Sequence, residues 1–348
     1  MTASMRPAVG LAASMACVAL GHFPTPLEPA PRLAAALAGP ALWIKREDLS
    51  GLALGGNKTR QLEALMAAAL ASGADTVVTT AAAQSNFCRT TAAAAAKLGL
   101  RAVLLLRGGA DAPVTGNLLL DQLLGAEIEF IATADPYDPA VARRLEQIMD
   151  RLRASGRKPE LLHVVGAAGT LGAAAYVPAA EELVRQFAAN GIEPDALYLA
   201  AGSGLTMAGL ALGLKHLGVN TRVIGISAQV PAGFLRPIVA RRANEVAVML
   251  GLATRLAEDE IELDDRQIGA GYGIATLASV DAMELGARTE SLVLDPVYTG
   301  KCMAGLIAHV RAGRWPAGTT VAFLHSGGAP GLFAYGAERL AAVRRAVA

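Results

Sequence analysis

The sequence predicts an α/β protein built on mostly parallel sheets, and three observations carry that prediction. After a helix that opens near Lys58, short β-rich runs alternate with alanine-rich runs of helical spacing, the order that βαβ units require. Hydrophobic side chains fill 53% of the 348 positions, which suits strands buried in a sheet. Long structureless linkers are absent, and the length accommodates about two domains around a large core.

The elements follow in order. Trp43-Ile44-Lys45-Arg46-Glu47-Asp48 reads as a short strand, Gly55-Gly56 as a tight turn, and Gln61-Leu62-Glu63-Ala64-Leu65-Met66 as helix, its apolar residues at helical spacing. Lys58 therefore stands at a strand-to-helix corner. Strands are expected over Asp75 to Thr80, Ala102 to Arg107, Glu127 to Ile131, Leu161 to Val165, Ala196 to Ala200, Arg222 to Ser227 and Thr320 to Leu324. The helices between them open on turn or capping residues, as at Gln84-Ser85-Asn86, Pro113-Val114-Thr115-Gly116 and Gly202-Ser203-Gly204. Asp295-Pro296 predicts a further helix, with Asp295 as N-cap and Pro296 at its first position. Arg151 to Pro159 is the most charged connection, and a domain crossing is placed after it.

Composition narrows the function. With 31 basic against 30 acidic side chains the formal charge is +1, so neither nucleic acid nor an anionic membrane is an expected partner, and a small neutral or zwitterionic one is. Cys17, Cys88 and Cys302 are scattered and odd in number, giving neither a disulfide framework nor metal-ligand spacing. The five histidines show no such spacing either, so no metal is expected. The apolar stretch from Ala8 to Leu20 resembles a weak secretory signal, but only Arg6 precedes it and no small-residue cleavage site stands before His22. No run reaches the roughly 18 apolar residues of a membrane span, and a soluble cytoplasmic protein is expected.

Several segments could carry chemistry. A lysine at a helix N-terminus is disfavoured by the macrodipole, which lowers its pKa and suits Lys58 to imine formation; the competing reading is a solvated lysine after a glycine turn. The strand ending at Ala201 enters Gly202-Ser203-Gly204-Leu205-Thr206, where close backbone N–H groups and two hydroxyls make either a phosphate cradle or a plain tight turn. Met207 stands where a dinucleotide fingerprint wants glycine, and no lysine makes it a triphosphate loop. Gln84-Ser85-Asn86 could bind a carboxylate or simply cap its helix. Tyr298 is expected in a first helical turn, where positive potential lowers a phenol pKa, and Tyr272 in a glycine-rich loop; packing is the alternative for both. Ser326 follows a buried strand at its C-terminal edge, where α/β sites gather.

Taken in order, these segments resemble the pyridoxal-phosphate enzymes that comprise D-cysteine desulfhydrase, L-cysteate sulfo-lyase and 1-aminocyclopropane-1-carboxylate deaminase. The likeness runs from about Pro24 toward the C-terminus and rests on Pro24-Thr25-Pro26-Leu27-Glu28, the Trp43 to Asp48 strand, Gly55-Gly56-Asn57-Lys58-Thr59-Arg60, Gln84-Ser85-Asn86, Thr206-Met207-Ala208-Gly209-Leu210 and Asp295 to Lys301. It implies fold type II of the pyridoxal-phosphate enzymes, like the tryptophan synthase β subunit. Residues 1–59 and 172–348 would form a large cofactor-binding domain, residues 60–171 a small mobile one, and two chains a homodimer.

The resemblance also implies roles. Lys58 would bond the aldehyde of pyridoxal 5'-phosphate, with Asn57 beside it and Asn86 on the cofactor's phenolic oxygen. Gly202, Ser203, Gly204, Leu205 and Thr206 would hold the phosphate, and Thr299 and Ser326 would be the hydroxyls near the ring nitrogen. Gln84, Ser85, Asn86 and Phe87 would meet the substrate carboxylate, and Ser85, Tyr272 and Tyr298 would act with Lys58 at the reacting carbons.

In the deaminases an acid follows the tyrosine equivalent to Tyr298 and leucine stands at the place of Ser326. The two hydroxyls here are similar to the desulfhydrases and suit β-elimination of a good leaving group. The expected function is thus a lyase converting a small sulfur-containing or β-substituted amino acid to a 2-oxo acid and ammonia. A 1-aminocyclopropane-1-carboxylate deaminase and a catalytically silent small-ligand binder are the alternatives. Phe87-Cys88, Ala167-Ala168 and Ala275-Thr276 depart from the family pattern and point to a reshaped substrate pocket.

Overall fold

Two separate sheets organise the chain, and the computed structural model describes residues 15–108, 110, 111 and 113–345 of it. The strands are β1 (Leu27–Pro29), β2 (Ala41–Lys45), β3 (Thr76–Ala82), β4 (Arg101–Arg107), β5 (Glu127–Ile131), β6 (Pro159–Leu161), β7 (Ala196–Ala201), β8 (Arg222–Ser227), β9 (Glu262–Asp264) and β10 (Thr320–Leu324). Six of them form one sheet in the order β1-β2-β10-β7-β8-β9, and four form the other in the order β5-β4-β3-β6. Every pairing is parallel except β1 with β2. The expected α/β fold of mostly parallel sheets flanked by helices is what forms.

Helices cover both faces of both sheets. They are α1 (Pro31–Leu37), α2 (Lys58–Ala71), α3 (Asn86–Leu98), α4 (Gly116–Leu123), α5 (Pro139–Ala154), α6 (Gly166–Ala174), α7 (Val177–Ala189), α8 (Leu205–His216), α9 (Ala232–Met249), α10 (Leu277–Glu290), α11 (Thr299–Arg311), α12 (Ala329–Leu332) and α13 (Gly336–Arg345). On the six-stranded sheet one apolar layer joins β7 to α7, α8 and α9, and the opposite layer joins β10 to α10 and α11. The four-stranded sheet is covered by α2 and α3 on one face and by α5 on the other. This explains why β4 reads as an unbroken apolar run: Val103 to Leu106 are fully buried, as a parallel strand sandwiched between helices must be.

Three boundaries differ from the sequence expectation. The strand read as far as Asp48 ends at Lys45, and Glu47–Leu49 forms a 3-10 turn. That turn carries the Glu47 carboxylate inward to Arg60, whose Nε and Nη2 donate to it at 2.7 and 2.8 Å. The strand expected over Leu161 to Val165 stops pairing at Leu161, because β6 is a short edge strand with three partners on β3. The helix expected from Pro296 begins only at Thr299. Asp295 spends its carboxylate on the backbone N–H groups of Val297, Tyr298 and Thr299, at 2.8 to 2.9 Å, and so closes a turn before the helix rather than capping the helix itself.

Of the signal-like stretch, residues 8–14 lie outside the described residues. Val18 and Leu20 are buried, and their N–H groups donate to the Glu63 carbonyl and carboxylate, each at 3.0 Å. No helix among the described residues is long and apolar enough to cross a membrane.

Candidate active site

The C-terminal ends of β3, β4, β7 and β10 point at one cavity of about 1160 Å³, the place where open parallel sheets bind ligands. Lys58 enters it from the first position of α2, held there by the turn before it. Gly56 adopts φ +117°, a conformation side chains rarely take, and a β-carbon on Gly327 would lie 2.6 Å from the Gly56 Cα. The Gly55-Gly56 turn thus packs backbone to backbone on the loop after β10, and Asn57 N–H donates to the Ser326 carbonyl at 3.0 Å. Enclosure lowers the Lys58 amine to about 8. The direction is the expected one, but its cause is burial rather than the macrodipole. No hydrogen bond holds its Nζ among the described residues.

The loop from β7 to α8 forms one wall. Gly204 has φ +81°, and a β-carbon there would come within 2.6 Å of Val239. The Thr206 hydroxyl oxygen accepts from Asn57 Nδ2 at 2.9 Å and from Gln61 Nε2 at 3.2 Å. Its own hydrogen lies within reach of the Tyr176 hydroxyl as well as of the cavity. With the Ser203 hydroxyl and the N-terminal amides of the 12-residue α8, the loop presents to the cavity the kind of donors that a phosphate accepts from.

The N-terminus of α3 forms the facing wall. Ser85 caps it, its Oγ accepting from Phe87 and Cys88 N–H at 3.1 and 3.2 Å, so the capping reading is correct, and the hydroxyl also bonds to the Cys88 thiol. Asn86 accepts at Oδ1 from Asn117 Nδ2 at 2.9 Å, leaving its own amide N–H₂ as donor. Gln84 does not line the cavity. Its side chain accepts from Asn117 N–H at 2.9 Å and donates to the Thr115 carbonyl at 3.0 Å, and so positions Asn117. Phe87 is 5% exposed and borders the cavity from the same helix.

Tyr272 and Tyr298 meet at the third side, their hydroxyls 2.7 Å apart and their rings edge to face. Burial pushes both phenols up, Tyr298 well above 10, which corrects the expectation of a lowered pKa. Tyr298 is the N-cap of α11, but burial, the Tyr272 hydroxyl and the nearby Asp295 carboxylate all act against ionisation, and its ring lies against Gly202, whose β-carbon would sit 3.1 Å from Tyr298 Cε1. Lys301 anchors the loop that carries Tyr272, donating to the carbonyls of Ile268 and Gly271 at 2.7 and 3.0 Å. Ser326 lines the cavity with an unpartnered hydroxyl. Thr299 does not reach it: fully buried, it donates to Asp295 Oδ1 at 2.7 Å and accepts from Asp295 N–H at 2.8 Å.

A buried lysine amine, donors suited to a phosphate and an oriented amide around one cavity meet what pyridoxal phosphate needs. Comparison with known proteins agrees, since residues 18–327 match the family described as pyridoxal-phosphate dependent enzyme. The chain belongs to that family. It is 40% identical over 319 residues to 1-aminocyclopropane-1-carboxylate deaminase of Burkholderia cenocepacia, covering 90% of this chain and 94% of that one. It is 41% identical over 318 residues to D-cysteine desulfhydrase of Salmonella choleraesuis, with the same coverage, 90% and 94%. A crystal structure of an ACC deaminase homologue superimposes with a TM-score of 0.86 at 35% identity, covering 96% of this chain and 98% of the other. The expected class, a pyridoxal-phosphate-dependent lyase of fold type II, holds.

Other cavity features of this pyridoxal-phosphate enzyme escaped sequence reading. Tyr176, fully buried, donates from one hydroxyl toward Glu47 Oε2 at 3.0 Å and the Asn57 carbonyl at 2.9 Å, tying the residue before Lys58 to the buried charges of Glu47, Arg60, Lys45 and Glu182. Gln61, Asn117 and Lys301 orient site groups from the sides, and Arg107 and His163 add polar groups to the wall.

Proposed function

We propose that the protein is a D-cysteine desulfhydrase-like lyase, converting a small β-substituted amino acid to a 2-oxo acid and ammonia by β-elimination. The observation that carries this reading is the placement of Lys58 and the Tyr272–Tyr298 hydroxyl pair on one cavity. Pyridoxal phosphate, when bound, supplies an electron sink for negative charge at Cα. Ser203, Thr206 and the first amides of α8 would hold its phosphate, Asn86 would donate to its phenolic oxygen, and Ser326 would offer a hydroxyl to the ring nitrogen.

Ser85 and the first amides of α3 bind the substrate carboxylate. Lys58 Nζ removes the Cα proton, a task for which an amine near neutrality is fitted. Tyr298, kept protonated by burial, donates to the departing group, and Tyr272 relays a proton to it through their shared hydrogen bond. Apolar neighbours such as Phe87 keep water from the reacting carbons.

Thr299 and Ser326, where the deaminases carry an acid and a leucine, favour elimination over opening of a cyclopropane ring, the reaction of the alternative reading as 1-aminocyclopropane-1-carboxylate deaminase. The near-equal identity to relatives of either name makes the substrate a matter for measurement. Purified, cofactor-loaded protein should release a 2-oxo acid and a co-product from a panel of D- and L-amino acids, and Lys58→Ala should release neither. Absence of product from the whole panel overturns the lyase reading and leaves a silent ligand binder. We assign residues 60–171 to a small mobile domain and the remainder to the cofactor domain, and place the protein in the cytoplasm as a homodimer. Sedimentation would test the homodimer.

A further inference from the structure

One cation on the cavity wall has no task in that scheme. Arg107 ends β4, beside Thr80 and Ala82 at the end of β3, and lines the cavity. Its Nε is buried without a hydrogen-bond partner, and no acid pairs with its guanidinium among the described residues. The other cavity arginines are engaged. Arg242 donates to the Gly166 carbonyl and to Glu245, both at 2.8 Å, and Arg241 lies 3.9 Å from Glu245.

The neighbours of Arg107 locate it within the cavity. Its charge acts on Tyr272, on Cys88 of α3 and on His163, so it stands on the side of the tyrosine pair and of α3. None of these neutralises it. His163 is held below its usual range, first by burial and then by Arg107 itself. Asp121, the buried acid of α4, is pushed up to about 7 by burial, couples to Arg89, and makes no ion pair with Arg107. Arg107 is half-buried, with its Nε enclosed and no counter-charge among the described residues, and a guanidinium so placed is disposed toward an anion.

Two anions of the reaction already have their donors. The cofactor phosphate has the α8 cradle, and the substrate α-carboxylate has Ser85 and the α3 N-terminus. Resting on that assignment, we propose that Arg107 is a specificity residue that receives a second anionic group on the substrate side chain, a carboxylate or sulfonate-type oxyanion one or two atoms beyond Cβ. The planar fork of arginine matches such an oxyanion with two parallel hydrogen bonds. The enzyme then prefers acidic small amino acids to neutral ones of similar size.

The test compares binding of two unreactive substrate analogues, 2-methylaspartate and 2-methylserine, each as both enantiomers, to the cofactor-loaded enzyme by calorimetry. Both carry the α-carboxylate and neither can lose a Cα proton. Wild-type enzyme should bind the acidic analogue about tenfold or more tightly than the neutral one. Arg107→Gln should remove that preference by weakening the acidic analogue selectively, and Arg107→Lys, which keeps the charge without the fork, should restore part of it.

Equal affinity of the wild type for the two analogues overturns the proposal, and that comparison needs no variant to fold. Equal weakening of both in Arg107→Gln also overturns it and makes Arg107 a ligand of the α-carboxylate. No change in either overturns it too. Failure of the lyase reading looks different: no 2-oxo acid from any amino acid, whatever the analogues do.

Discussion

Asn117 Nδ2 donates to Asn86 Oδ1 at 2.9 Å, and this bond decides which end of the Asn86 amide faces the cavity. With its oxygen occupied, Asn86 presents its N–H₂ to the cavity, as the proposed contact with the cofactor's phenolic oxygen requires. Asn117→Ala frees the amide to turn and should weaken pyridoxal phosphate about tenfold, the worth of one hydrogen bond, in an absorbance titration of the apoprotein.

The tyrosine pair predicts a split between binding and turnover. Tyr298→Phe should retain the bound cofactor's visible absorbance while lowering kcat about 10²-fold or more, as expected for loss of a general acid. The loss should shrink for substrates with better leaving groups, and a uniform loss across leaving groups would remove Tyr298 from that role.

Thr299 and Ser326, alike in sequence, should behave differently. Ser326→Ala removes a hydroxyl that faces the cavity and should shift the bound cofactor's absorbance. Thr299→Val leaves the Asp295 N–H and carboxylate short of a partner and should cost about 1–3 kcal/mol of stability, read by denaturant unfolding, with the absorbance unchanged.

The Lys58 amine sets a pH dependence. Lowered by burial to about 8 from 10.5, it is neutral in the folded apoprotein above pH 8, so the rate of cofactor capture should rise with pH and level off there. Between pH 8 and 10.5 the unfolded chain holds a proton at this site that the folded chain does not. The Lys58 contribution to apoprotein stability therefore grows more favourable as pH rises through that window, and Lys58→Met should flatten the rise in thermal unfolding profiles.

Beneath the lysine, Glu47 is fully enclosed; burial alone would raise its pKa, but Arg60 and Lys45 win and hold it at about 2. Its contribution is complete above pH 4.5 and is lost as pH falls toward 2. Glu47→Gln leaves Arg60 and Lys45 to share the Glu182 carboxylate alone and should cost about 3–5 kcal/mol in denaturant unfolding at pH 7.

Contiguous residues made much of this site legible. Gly55 to Lys58, Ser85-Asn86 and Gly202 to Thr206 each join a strand to a helix within a few positions, so glycine freedom, capping and helix amides could be read from the string. Asn117, Tyr176, Gln61 and Lys301 could not. Their partners lie 31, 119, 145 and 30 to 33 positions away along the chain, and no local pattern marks them. Arg107 had one usable signal, its place at a strand's C-terminal end.

Sequence by itself determined the α/β alternation, the family and the strand-to-helix corners at Lys58 and Gly202 to Thr206, because each depends on backbone periodicity or on short motifs whose geometry is local. Tertiary structure alone decided that Lys58 is tuned by burial, that the Tyr298 phenol is raised rather than lowered, and that Ser326 faces the cavity while Thr299 turns to Asp295. Those outcomes depend on which surfaces exclude water and which distant groups meet, and both are properties of the packed chain.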